Sequence, residues 1–153
     1  MSSIKQEIIA DIRKTKQSVK IAVAWLTDSD FIDELAQKIR KKEGFVVEIV
    51  VSGHQDNKET VLKAKIMALM DIGASVKTYG SANPQDGGFM HCKFYIIDDE
   101  FAKSGSYNWS KGAEKNVECL DEVALEPKQK LFRKLFGSGM DYVRLSKNSM
   151  PKK

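Results

Sequence analysis

Residues 19–52 read VKIAVAWLTDSDFIDELAQKIRKKEGFVVEIVVS, and this stretch decides the fold class. The apolar run at 19–26 and the Val- and Ile-rich run at 45–52 each have the length of a buried strand. Between them Thr27, Asp28 and Ser29 offer cap residues, after which Phe31, Ile32, Leu35 and Ile39 recur at helical spacing. Lys38, Arg40, Lys41 and Lys42 crowd the last turns, where cations suit the helix dipole, and Gly44 ends the helix. Strand, amphipathic helix and strand in this order imply parallel strands joined by a right-handed crossover.

The same rhythm extends outward. On the N-terminal side, Ser2 or Ser3 can cap a helix whose Ile4, Ile8, Ile9 and Ile12 form one stripe opposite Lys5, Arg13 and Lys14. On the C-terminal side a polar loop at 53–57 leads to a helix through Val61, Ala64, Ile66, Met67, Leu69 and Met70, closed by Gly73. A strand at 75–79 follows, and then a Gly-, Ser-, Asn- and Pro-rich loop at 80–88. Residues 90–97 and 101–104 predict two strands close enough, across Asp98, Asp99 and Glu100, to make a hairpin. A further strand is expected at 117–125, and Pro127 is expected to open a last helix carrying Leu131, Phe132, Leu135 and Phe136, broken near 137–139. The expected fold is α/β, with a mixed, mainly parallel sheet flanked by helices on both faces. Residues 1–147 read as one domain and 148–153 as a disordered tail, and no internal repeat is present.

Composition narrows the function. The chain has 153 residues, 42% hydrophobic and 30% charged, as in an ordinary globular domain. No apolar run approaches the roughly 20 residues needed to span a bilayer, and residues 1–17 mix Ile with charged residues, unlike a secretory leader; a cytoplasmic protein is expected. Cys92 and Cys119 lack any paired spacing and read as reduced thiols. With only His54 and His91, and no H-x-x-H arrangement, neither a metal site nor any other cofactor is expected. Net basicity is concentrated at one end: residues 127–153 hold 8 Lys and Arg against 1 Asp or Glu, and residues 1–126 hold 17 against 20. Such a distribution suits a phosphate-rich partner met by one basic face, and equally suits a solvated helix.

The chemistry is concentrated in His91, Lys93, Asp98, Gly105, Ser106 and Asn108, with Ser110, Asn116 and Glu118 trailing. On a strand His91 and Lys93 point to one face, while Cys92 and Phe94 point into the core. The hairpin return brings 105–108 beside them, where Gly105 permits close backbone approach and Ser106 and Asn108 supply neutral donors. An imidazole beside a fixed cation and neutral donors suits attack on a phosphodiester, with the donors stabilising charge on the non-bridging oxygens. Glu118 is expected to accept a hydrogen bond from the second ring nitrogen of His91.

This set resembles the HKD signature of the phospholipase D superfamily. The run Gly-Ser-Tyr-Asn-Trp-Ser at 105–110 followed by Glu-Lys-Asn-Val-Glu at 114–118 is similar to the small bacterial Nuc-type endonucleases. The motif covers 91–118, and the order of helices and strands around it is compatible with that fold. The resemblance implies that His91 attacks phosphorus to give a phosphohistidine, that a second imidazole protonates the leaving oxygen, and that no metal takes part. It implies that Lys93 and Asn108 hold the phosphate with support from Ser106, and that Asp98 is structural. Because the chain has one such motif, it implies a homodimer whose two copies of His91 complete one site. His54 is the alternative source of the second imidazole, although a solvated loop histidine is the plainer reading.

Nucleic acid is the expected substrate. Within the enzyme class the rival is a phospholipase or cardiolipin hydrolase, for which Phe132, Leu135 and Phe136 could form an apolar anchor. Outside it, the rival is a nucleic-acid-binding module of a larger helicase or restriction system. Trp109, Met67 and Met70 read as core rather than as binding surface.

Overall fold

A computed structural model describes residues 3–142, so the tail expected at 148–153 lies outside the described residues. In chain order the elements are α1 (Ser3–Lys14), β1 (Ser18–Val23), α2 (Ser29–Lys41), β2 (Val46–Ser52), α3 (Thr60–Asp71), β3 (Ser75–Tyr79) and β4 (Lys93–Ile97). They continue with β5 (Phe101–Gly105), β6 (Leu120–Val123), α4 (Leu125–Ser138) and β7 (Met140–Asp141). The strands form one sheet in the order β6-β5-β4-β1-β2-β3-β7. β1 pairs in parallel with β2, from Ser18 opposite Val46 to Val23 opposite Val51, and β2 pairs in parallel with β3.

Each face of the sheet buries its own core, because side chains alternate along every strand. On one face Val19, Ile21, Val23, Val47, Ile49, Val51 and Tyr95 pack against Ile8 and Ile12 of α1, Phe31 and Leu35 of α2, and Leu62, Ile66 and Leu69 of α3. Met67 and Met70 join this core, as their spacing implied. On the other face Ala22, Val50, Phe94, Ile96 and Ala102 pack against Phe132 and Leu135 of α4. A mixed sheet flanked on both faces is therefore present. Strands buried on both faces explain why 19–26 and 45–52 read as nearly continuous apolar runs.

Four local expectations need correction. The sheet is mixed but not mainly parallel, since β1–β4, β4–β5, β5–β6 and β3–β7 are all antiparallel. The link at 98–100 is too short for a crossover, so β5 must return antiparallel. The strand expected at 90–97 begins only at Lys93, and that expected at 117–125 is shortened to β6. Pro127 is the third residue of α4 rather than the first, a position that still needs no N–H donor.

Two side chains pin this frame. Asp98 (φ 54°) and Asp99 (φ 52°) form the β4–β5 turn, and the Asp98 carboxylate accepts from the backbone N–H groups of Lys16 at 2.9 Å, Gln17 at 2.6 Å and Ser18 at 3.0 Å. Burial pushes this carboxyl upward, but the donations from Lys16, Ser18 and Gln17 outweigh it and hold its pKa below the usual range. Asn57, fully buried, works at the opposite end of the sheet. Its Oδ1 accepts from Leu26 N at 2.9 Å, and its Nδ2 donates to Ala24 O at 2.9 Å and Ser52 O at 3.0 Å.

Replacing Asn57 by Ala removes the side-chain acceptor of the buried Leu26 N–H and one donor each from Ala24 O and Ser52 O. Asn57→Ala is expected to lower unfolding free energy by about 3 kcal/mol, measured by urea denaturation with an unchanged m-value.

Candidate active site

Beyond Val23 the chain leaves the sheet, yet residues 24–28 still carry backbone groups that must be paired. Ala24 N donates to Cys92 O at 3.0 Å and Trp25 N to Asn108 Oδ1 at 3.2 Å. Trp109 N donates to Trp25 O at 3.1 Å, while Thr27 N and Asp28 N both donate to Trp109 O at 2.9 Å. Trp109 is itself buried between Phe31 and Tyr95, at centroid distances of 4.6 and 5.9 Å. It packs beneath the site, as the sequence implied. This short segment thus joins 91–93 to 106–109, two stretches of the motif that the hairpin alone does not bring together at their ends.

His91 lies just before β4, exposed, and Lys93 is the first residue of the strand. Lys93 Nζ lies 3.3 Å from His91 Nδ1 and donates to His91 O at 3.0 Å. An ammonium can only donate, so in the neutral ring this contact makes Nδ1 the acceptor and leaves the proton on Nε2. Desolvation, followed by repulsion from the Lys93 charge, holds the His91 pKa below its usual value. Burial likewise lowers the Lys93 pKa, against attraction from Cys92 and Glu118. The ring of His91 also meets Trp25 edge-on at 6.2 Å and Phe89 at 5.9 Å.

The remaining motif residues fall into two groups. Asn108 reaches the His91–Lys93 pair through Trp25: with its oxygen held by Trp25 N, its amide presents N–H donors. Ser106 Oγ accepts from Cys119 N at 3.0 Å, and Ser106 N donates to Cys119 O at 3.1 Å, so Ser106 fixes the approach of the chain to β6. Gly105 lets that approach happen, because a Cβ there would sit 1.9 Å from Cys119 O. Ser110 stands at the start of a 3-10 turn (Lys111–Lys115) without capping it through its side chain.

Glu118 departs from expectation. Its carboxylate accepts from Asn116 Nδ2 at 3.1 Å rather than from His91, and its charge acts on Lys93. The short β6 explains this: residues 116–119 are outside the sheet, and Val117 beside Glu118 is fully exposed, at 104%. Asp98 lies at the far end of β4, where it serves the frame.

Sequence reasoning missed Trp25, Phe89 and Asn57 and ranked His54 as a solvated loop residue. Trp25 and His54 meet edge-on at 5.4 Å, so both histidines abut one indole. His54 Nδ1 accepts from Asp56 N at 3.1 Å. Among the described residues no group of three or more His, Cys, Asp or Glu is gathered that could hold a metal ion. No described helix is long and apolar enough to cross a membrane.

The family described as "Cardiolipin synthase, PLD-like domain" matches residues 8–139. The chain belongs to the phospholipase D-like family. Among solved structures, the phospholipase D family member Nuc from Salmonella typhimurium is 25% identical, with 90% of each chain covered and a TM-score of 0.73. NucT from Helicobacter pylori is likewise 25% identical over 90% of each chain, with a TM-score of 0.72. TrmBL2, an archaeal chromatin protein, is 12% identical over 90% of this chain and 50% of its own, with a TM-score of 0.63, and so shares the fold alone. No curated protein matches the sequence. Phospholipase D-like membership supports a phosphodiester hydrolase, and the His91–Lys93–Asn108 grouping lies inside the matched region.

Two measurements check this geometry. An NMR titration of His91 should give a midpoint below the ordinary 6.5, and Lys93→Met should move it upward, because the variant removes a neighbouring positive charge. Gly105→Ala, which forces a methyl group onto Cys119 O, should cost about 2 to 3 kcal/mol in chemical denaturation.

Proposed function

We propose that the protein is a nuclease of the phospholipase D type, hydrolysing DNA or RNA without a metal ion at a site shared by two copies of the chain. The observation that carries this reading is the His91 imidazole, neutral near pH 7, beside the Lys93 ammonium, with the Asn108 amide held on the backbone N–H of Trp25, whose ring meets His91.

Chemically, a phosphate entering the site takes the Lys93 ammonium and the Asn108 N–H groups, which releases His91 Nδ1. Exchange with water then moves the ring proton from Nε2 to the freed Nδ1, leaving the Nε2 lone pair to attack. The Nε2–phosphorus bond forms as the bond to the leaving alcohol breaks, and a second, protonated imidazole gives its proton to that oxygen. The same imidazole, now neutral, takes a proton from water as water attacks phosphorus. The phosphohistidine opens, a phosphate monoester leaves, and both rings return to their starting state. One chain brings one such histidine, and a twofold axis beside His91 would supply the other.

Nucleic acid is favoured over lipid by the fate of α4. Phe132 and Leu135 are buried against the sheet, and Phe136 stacks on Phe132 at 5.5 Å under Lys77, so these residues form core rather than a membrane anchor. Lys130, Arg133 and Lys134 of the same helix are exposed and available to phosphates. The 25% identity to Nuc and NucT, together with the Nuc-type run at 105–118, supports the same reading.

The wild type is expected to cleave DNA or RNA in excess chelator, and His91→Ala to reduce the rate by at least about 10^4-fold, followed by gel electrophoresis. Loss of cleavage on adding chelator would refute the metal-free mechanism. Exchange of wild type with a tenfold excess of His91→Ala chain should lower activity per wild-type chain about tenfold, since mixed dimers hold one imidazole. Undiminished activity would mean that each copy works alone.

A further inference from the structure

A cleft of about 390 Å3 opens between His54 and Gln55, which follow β2, and Ala82, Asn83 and Pro84, in the loop after β3. We propose that this cleft is a nucleoside subsite, receiving a base and sugar next to the phosphate that His91 attacks; the proposal rests on the nuclease reading. Its volume lies within the range of pockets that hold small organic groups. It stands one aromatic ring from the nucleophile, because Trp25 meets His54 at 5.4 Å and His91 at 6.2 Å, both edge-on.

The lining chemistry selects a nucleoside over a phosphate. None of the five lining residues is Lys or Arg, so the cleft lacks the cations a phosphate requires. It offers instead an imidazole face and the aliphatic Pro84 ring as surfaces for a base or sugar to pack on, with the amides of Gln55 and Asn83 as hydrogen-bonding groups. His54 has its Nδ1 occupied by Asp56 N at 3.1 Å, with the Asp56 carboxylate 3.7 Å away, so the neutral ring presents an Nε2–H donor.

The loop wall is built in advance of any ligand. Gly80 (φ +83°) and Gly88 (φ +85°) close its neck, and a Cβ on Gly80 would lie 2.2 Å from Gly88 O. Inside the loop, Asn83 O accepts from Ser81 Oγ at 3.2 Å and Asp86 N at 3.0 Å, and Asn83 Oδ1 accepts from Gln85 N at 2.9 Å. A wall held this way loses little entropy when a base enters. The loop then runs directly through Phe89 to His91, so a strand held in the cleft has its neighbouring phosphate close to Lys93.

The test compares two phosphodiesters on the full chain: a single-stranded oligonucleotide, and methyl p-nitrophenyl phosphate, which carries neither base nor sugar. His54→Asn keeps an acceptor for Asp56 N and removes the imidazole, while Pro84→Gly removes the aliphatic ring contributed by the loop after β3. In each variant kcat/KM for the oligonucleotide should fall about tenfold relative to that for the small diester, with the loss in KM. A parallel fall on both diesters, or no change on either, overturns the subsite. Binding is read independently in the His91→Ala background by anisotropy of a labelled oligonucleotide, where adding His54→Asn should raise Kd about tenfold. An unchanged Kd overturns the subsite even if the wild type is a nuclease. A wild type that hydrolyses the small diester and no nucleic acid overturns the nuclease reading separately.

Discussion

Everything at the candidate site depends on the backbone of residues 24–28. A strand leaving a sheet exposes N–H and C=O groups that are costly to bury unpaired, and here Ala24 and Leu26 are fully buried. Partners come from three separate stretches: Cys92 before β4, Asn57 after β2, and Asn108 with Trp109 after β5. Satisfying the backbone of one segment therefore assembles the loops that carry the chemistry. Asn108 illustrates the economy of the arrangement, since the bond that pairs Trp25 N also fixes which end of its amide faces outward.

The two ends of the sheet are consequently unlike. At one end Asp98 gathers three backbone N–H groups and ties the start of β1 to the β4–β5 turn, a closed and purely structural arrangement. At the other, the parallel strands β1 to β3 release their chains into the loops holding Trp25, His54 and residues 80–89, where α/β sheets place ligands. A hollow of about 630 Å3 between α2, β2 and β3, lined by Arg40, Lys42, Glu43 and Phe45 among others, belongs to the first end and so is remote from His91. Volume alone would have misplaced the site. The convergence of an imidazole, an ammonium and an oriented amide is the better guide.

The sequence exposed the parts of this molecule that obey a period. Strands buried on both faces read as apolar runs, helices as stripes, and the motif as fixed spacing between His91, Lys93 and Asn108. What escaped was set by contacts between distant residues. Asn57 reaches Leu26 across 31 positions and Asn108 reaches Trp25 across 83, and no local pattern records either. The same applies to β6, which is short because Cys119 N donates to the Ser106 side chain and Asn116 donates to Glu118 instead of continuing the ladder. The sheet is mixed as expected but less parallel, because the β-α-β rhythm ends at Tyr79: β1 to β3 pair in parallel, whereas β4 to β7 all pair antiparallel.

The contact between Lys93 and His91 ties this geometry to the proposed chemistry. In the free protein the ammonium lies against Nδ1 and helps depress the ring, which keeps the imidazole neutral below its ordinary pKa. A neutral but weakly basic imidazole is a poor nucleophile, because nucleophilicity falls as basicity falls. A bound phosphate changes both terms together. In the proposed reaction its negative charge draws the Lys93 ammonium away and relieves the repulsion, the smaller of the two causes after desolvation, so the basicity of His91 rises when an anion is in place. On the proposed mechanism the ring is neutral before binding and more reactive after it. This also gives Lys93 a role that a remote cation could not fill: it must be near enough to act on the imidazole and mobile enough to leave it.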